Sequence, residues 1–175
     1  MLFERKHYLN LLQNADGNGM IKVITGIRRC GKSFLLFNLF RKRLIEKGVH
    51  EDHIIQVNLE DRRNKRLRDP DVLLQHIDSM MTDTDKYYIL LDEVQLVNEF
   101  EDVLNSYLSV PNAEVYVTGS NAKFLSKDII TEFRGRGWEI HIHPLSFAEY
   151  YEVVGGEKAE ALEQYYKYGG LPAVA

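Results

Sequence analysis

The chain has 175 residues, 45% of them apolar, and a formal charge of −4 from 22 Lys and Arg against 26 Asp and Glu. This suits one globular domain, with at most an incomplete second, and excludes a global polycation built for nucleic acid. Cys30 is the single cysteine, which excludes an internal disulfide; no stretch is apolar for long enough to cross a bilayer and Met1 to Asn10 is not a secretion signal, so a soluble, cytoplasmic protein with no membrane partner is expected.

Phe3 to Gln13 has the spacing of a short amphipathic helix, with Leu9, Leu11 and Leu12 toward its buried side, and the turn cluster Asn14 to Gly19 ends it. Met20 to Thr25 (MIKVIT) reads as the first strand. Phe34 to Ile45 repeats apolar residues every three or four positions, which predicts a helix, and Lys47-Gly48 closes it. His53 to Leu59 is the second strand, Glu60 to Pro70 a polar connection, and Asp71 to Met81 a helix. Tyr87 to Leu91 (YYILL) is continuously apolar, as expected of a parallel strand covered on both faces. Val97 to Leu108 is a further helix, Glu114 to Thr118 a fourth strand, and Trp138 to His143 a fifth. The alternation predicts an α/β three-layer sandwich, a mainly parallel five-stranded sheet with helices on both faces. Such sheets take ligands at the carboxyl ends of their strands.

Gly26 to Ser33 (GIRRCGKS) fits GxxxxGK[ST], the phosphate-binding P-loop, and lies between a strand and a helix as that loop requires. Gly26 and Gly31 let the backbone curl so that amide N–H groups face a phosphate chain. Lys32 supplies positive charge to the terminal phosphates, Ser33 supplies a hydroxyl to Mg²⁺, and the helix dipole favours the same anion. Ile27, Arg28, Arg29 and Cys30 fill the variable slots and Phe34 opens the helix, so residues 26–34 together form the expected nucleotide cradle. Arg28 and Arg29 either touch phosphate or stand as exposed loop tips.

Asp92-Glu93 directly follows the third strand. A carboxylate there is placed to hold Mg²⁺ through its water shell, the Walker-B role, assigned to Asp92. Glu93 points differently. It is the expected general base, as in P-loop ATPases of the additional-strand, catalytic-glutamate division. Val117 to Asn121 (VTGSN) ends the fourth strand. A strand inserted between the first and third would bring Ser120 or Asn121 to the γ-phosphate as a water or phosphate sensor; an ordinary turn is the alternative. Phe133 to Trp138 (FRGRGW) offers Arg134 and Arg136, with Arg136 preferred, as an arginine finger for a neighbouring subunit; binding an acidic partner or standing in solvent are the alternatives.

Arg62 to Arg68 (RRNKRLR) is a basic cluster that either contacts nucleic-acid phosphates or is a solvated loop. Asn64 to Leu67 lacks the aspartate of a guanine-reading element, which disfavours GTP. His141 and His143 share one strand face without a third metal ligand nearby, so packing or surface placement is expected. The tail tyrosines 150, 151, 165, 166 and 168 read as helix packing, with stacking on bases the alternative.

GIRRCGKS, YYILLDEVQ, VTGSN, FRGRGWEIHIHPLSFAEY and YGGLP together resemble the prokaryotic AAA-type ATPases whose core precedes a nuclease-like C-terminal domain. The resemblance implies an ATP-binding, ATP-hydrolysing P-loop core of AAA type over residues 1–150. It also implies the start of a helical C-terminal segment over 151–175, with the remainder absent. ATP and Mg²⁺ are the implied cofactors. The alternatives are an ATP-dependent switch or assembly module that barely hydrolyses, and a DNA-processing factor stimulated by nucleic acid. A homo-oligomer is expected only if the arginine finger operates.

Overall fold

The computed structural model describes residues 3–119, 133 and 135–172. Helix α1 (Lys6–Asn14) leads to strand β1 (Ile21–Gly26). Next comes a continuous helical run over 32–46, called α2, built from Lys32–Phe34, a π-helical Leu35–Phe40 and Arg41–Glu46. Strand β2 (Ile54–Asn58), a 3₁₀ segment (Arg62–Arg68), α3 (Pro70–Met80) and β3 (Tyr87–Asp92) follow. A short 3₁₀ turn (Val94–Leu96) precedes α4 (Phe100–Tyr107), β4 (Ala113–Thr118) and β5 (Gly137–Ile142). Two helices, α5 (Phe147–Val154) and α6 (Lys158–Tyr168), complete the described chain. Helix α5 runs through position 150, so no break in secondary structure falls between the residue ranges 1–150 and 151–175.

The five strands form one sheet in the order β2-β3-β4-β1-β5, and every pairing is parallel. Strand residues alternate between its faces, as the twofold repeat of extended chain demands. Tyr87, Ile89 and Leu91 enter one core with Val115, Val117 and side chains of α3 and α4. Tyr88, Leu90 and Tyr116 enter the other with Leu9, Leu12, Leu36 and Phe40 of α1 and α2. The three-layer architecture is therefore the one the alternating pattern predicts.

Two elements differ from their sequence signals. The polar connection after β2 is an ordered 3₁₀ helix, because Asp61 caps it by accepting from the Arg63 amide and Asn64 ties it to the Asn58 carbonyl at 2.8 Å. The helix after the glycine loop widens into π-geometry. Buried Leu35, Phe40 and Leu44 recur at intervals of five and four, which a wider turn keeps on one face.

Lys22 lies in the middle of β1 and is wholly buried, pointing to the same face as Tyr116. Its Nζ pairs with Glu114, which also accepts from the Gly17 amide at 3.1 Å. Removing one member of a buried pair leaves an uncompensated charge. Glu114→Ala is therefore expected to lower stability by about 3 kcal/mol. The double variant Lys22→Met, Glu114→Gln should recover most of that loss, both read from urea denaturation.

Candidate functional site

The parallel register sets the carboxyl ends of the strands along one edge of the sheet. Asn58 pairs with Asp92, Leu91 with Val117, Ile24 with Thr118, and Gly26 with Ile142. Everything that follows β1, β3 and β4 therefore emerges on the same side. The expectation that β4 lies between the P-loop strand and the Asp92 strand is met.

The loop after β1 is built by three residues of positive φ: Gly26 at 144°, Arg29 at 68° and Gly31 at 97°. Gly26 is required for space as well as for conformation, since a Cβ there would stand 2.4 Å from the Ile142 carbonyl oxygen. The Leu35 amide donates to the Gly31 carbonyl at 2.9 Å, so helix α2 begins directly from the loop. Lys32 is buried and folds back, its Nζ donating to the Gly26 and Ile27 carbonyls at 3.0 Å each. Ile27, Arg28, Arg29 and Phe34 are exposed, and Arg28 meets Glu60 at 3.5 Å. Cys30 is buried, and burial pushes its thiol pKa up.

Asp92 ends β3 and is 1% exposed. One of its carboxylate oxygens accepts from the Ser33 hydroxyl at 2.8 Å and from the Thr118 hydroxyl at 2.5 Å. Burial pushes the Asp92 carboxyl above its ordinary value; the two hydroxyl donors and Lys32 oppose the shift, and the Glu93 charge adds to it. Glu93 follows with a left-handed backbone (φ 55°), its amide donating to Thr118 Oγ1 at 3.0 Å. Thr118 thus binds both acidic positions at once. The donor set of hydroxyl and carboxylate oxygens suits a hard divalent cation, and among the described residues no cationic side chain pairs directly with the desolvated carboxylate.

A cavity of about 580 Å³ opens over the loop and is lined by Arg28 to Phe34, Glu60 and Glu93, with Phe3, Arg5 and Pro172 completing its wall. The last three come from outside the motif. Arg5 is anchored by the His143 carbonyl at 2.5 Å, by Glu149 at 3.3 Å and by the ring of Tyr8. Pro172 stands against Gly31, 3.6 Å from where a Cβ would sit. It is brought there by Gly170, whose carbonyl accepts from the Leu145 amide at 2.6 Å. A Cβ on Gly170 would overlap the Leu145 carbonyl, so the second glycine of YGGLP is a packing requirement.

The sequence-predicted residues sort as follows. Gly26 to Phe34, Asp92 and Glu93 come together at one edge of the sheet. Arg136 does not: its carbonyl accepts from the Ile21 amide at the start of β1, a sheet length of about 16 Å from Gly26 at ordinary strand rise. A role at a phosphate would therefore concern another copy of the chain. Ser120, Asn121 and Arg134 lie outside the described residues. His141 hydrogen-bonds Thr25 at 2.9 Å and packs edge-on to His143, as side-chain packing predicts. Sequence reasoning missed Thr118, although a threonine at the tip of the inserted strand was a usable signal. It also missed Phe3, Arg5 and Pro172, which no local pattern links to the loop. Among the described residues no helix is long and apolar enough to cross a membrane.

A five-stranded parallel sheet of this order, with its glycine loop leading into a helix and an acidic strand tip alongside, defines a P-loop nucleotide-binding fold of AAA type. The chain belongs to the AAA domain family, whose model matches residues 18–151. It is 34% identical over 179 residues to an uncharacterized protein of Haemophilus influenzae, covering 99% of this chain and 44% of that one. The chain thus spans less than half the length of that relative. Among solved structures it is similar to the Aeropyrum pernix ORC1 protein in complex with DNA, with a TM-score of 0.60 and 14% identity over 94% of this chain and 50% of that one. Caenorhabditis elegans PCH-2 gives a TM-score of 0.59 and 14% identity over 94% and 46%. At such identity the likeness is one of fold.

Because Asp92 has a raised pKa in the folded protein, its ionisation costs stability. That cost is absent below the unfolded pKa and grows as pH rises through the folded one. Asp92→Asn keeps an acceptor for Ser33 and Thr118 without the charge. In the nucleotide-free protein it should raise the melting temperature near pH 8 by about 2–4 °C, the equivalent of about 1 kcal/mol. The gain should shrink as pH falls toward 4, which a melting series across pH measures.

Proposed function

We propose that this chain is the ATP-binding core of a Mg²⁺-dependent ATPase. The observation that carries the reading is the direct contact between Ser33 and Asp92, which joins the start of α2 to the acidic tip of β3. That contact sets a hydroxyl and a carboxylate side by side at the mouth of the glycine loop, the two oxygen donors a nucleotide-bound Mg²⁺ calls for. Mg²⁺, when bound, neutralises phosphate charge there. Lys32 exchanges the Gly26 and Ile27 carbonyls for phosphate oxygens, and residues 26–34 cradle the chain of phosphates. Glu93, on the wall of the same cavity, takes a proton from water. Arg136, exposed at the far end of the sheet, serves a neighbouring subunit in a homo-oligomer, or Arg134 does. Asn121 or Ser120 senses the γ-phosphate. Family membership supports nucleotide binding, and adenine follows from the resemblance to AAA-type ATPases.

Lys32→Ala is expected to weaken ATP binding at least about tenfold by isothermal titration. Glu93→Gln is expected to keep binding within about twofold while losing at least about a hundredfold in phosphate release, the range for a general base. Full turnover in Glu93→Gln would remove the base assignment; unchanged binding in Lys32→Ala would remove the site. A switch that barely hydrolyses is the reading left if the parent, in its full-length form, binds ATP but shows no single-turnover hydrolysis.

A second reading, nucleic-acid association, is favoured by how the 3₁₀ segment divides its cations. Arg63 is held by Asp61, whose carboxyl it keeps down at about 2, and Arg68 donates to the Leu59 and Glu60 carbonyls at 2.9 and 3.3 Å. Arg62, Lys65 and Arg66 remain exposed on the ordered 3₁₀ segment that follows Glu60, itself a residue of the cavity wall. Arg62 and Lys65, three apart, stand on one side of a 3₁₀ turn. If they meet phosphates, replacing all three with Ala should reduce the slope of log affinity against log salt by about 2 to 3. Anisotropy of a labelled oligonucleotide measures this, and an unchanged slope removes the reading.

A further inference from the structure

We infer that Gln95 is a positioning residue for Glu93, its side-chain amide fixing the direction in which that carboxylate points. The inference rests on the proposed role of Glu93 as the base that activates water.

The backbone of Glu93 is already fixed. Its left-handed conformation (φ 55°, ψ 47°) is one that a non-glycine residue adopts only when its surroundings impose it, and the bond from its amide to Thr118 is one such tie. A fixed backbone does not fix a side chain with three rotatable bonds, yet proton transfer depends on where the carboxylate oxygens stand. Gln95 supplies one direct restraint on that carboxylate. Its Nε2 donates to Glu93 Oε2. The opposite amide orientation would set a carbonyl oxygen against a carboxylate, acceptor against acceptor, so the chemistry of the pair selects the donor.

The position of Gln95 is itself secured by the turn that carries it. The Leu96 amide donates to the Glu93 carbonyl at 3.0 Å, and the Val97 amide to the Val94 carbonyl at 3.0 Å. Val94 and Val97 are sunk in the core, 0% and 2% exposed, and pin the turn on either side of Gln95. The other end of the same amide, Oε1, is buried with no hydrogen-bond partner among the described residues. Leaving a buried carbonyl unsatisfied is unfavourable for folding. The glutamine is therefore poorly explained by stability alone, and its one satisfied end is the end that holds Glu93. Glu93 lines the cavity over the loop and Gln95 does not, so Gln95 acts through Glu93 without touching substrate.

The test compares two isosteric variants with the parent and with Glu93→Gln, in the full-length protein. Gln95→Met keeps length and removes the donor. It is expected to bind ATP within about twofold of the parent and to lose about tenfold in kcat at every pH. Gln95→Glu sets a second carboxylate against the first. It should bind ATP within about twofold of the parent and lose at least as much in kcat, since like charges repel and turn the Glu93 carboxylate away. A purely structural glutamine would lower melting temperature without this split between binding and kcat. If both variants turn over within about twofold of the parent while Glu93→Gln does not, Gln95 has no positioning role. If Glu93→Gln itself turns over normally, the base assignment fails and takes this inference with it.

Discussion

A carboxylate removed from water at the tip of β3 is the constraint on which the rest of the site depends. Asp92 is nearly inaccessible, and burial of its charge is unfavourable unless donors compensate it. The donors come from two other elements: Ser33 from the first turn of α2 and Thr118 from the tip of β4. Those three positions meet only because β3, β4 and β1 lie side by side in parallel register. Sheet order, helix start and acidic tip are thus one arrangement seen from three sides, and slipping any strand by one residue would turn its side chain to the opposite face.

The same economy governs the basic end of the site. Lys32 does not wait in solvent; the loop's own carbonyls hold it. A cationic head held inside a loop is pre-organised, and on the proposed reading an incoming anion would displace two neutral acceptors without having to immobilise a free side chain. Strain is concentrated here as well. Gly26, Arg29, Gly31 and Glu93 all carry positive φ, and two of them are not glycine. Such conformations persist where surroundings over-determine them, which the Asp92, Thr118 and Ser33 cluster does on one side and Ile142 on the other.

Much of this was legible in the sequence because its signals are local. Strand identity came from runs such as YYILL, and the loop from glycine spacing, each of which reports a nearby physical requirement. Alternating strands and helices pointed to a parallel sheet, while the place of β4 between β1 and β3 was only a conditional reading that the strand order then met. What stayed hidden depends on contacts distant in sequence. Lys22 looks like a polar interruption in MIKVIT, and only the partner 92 positions away makes it a core residue. Arg5 and Pro172 lie at opposite ends of the described chain and share a wall only after folding. Arg62 to Arg68 read as one charge cluster, whereas the fold commits Arg63 and Arg68 to holding the segment in place.

The seating of Pro172 on Gly31 has a mechanical corollary. Gly170 is locked to Leu145 by one backbone hydrogen bond, and the Tyr165 hydroxyl grips the same residue's carbonyl at 2.5 Å. Helix α6 therefore leads through Gly170 to Pro172, which rests against the glycine loop. The segment after α6 and the turn at Gly31 thus share one packing surface, so a side chain added at Gly31 would meet a neighbour about 140 residues away in sequence.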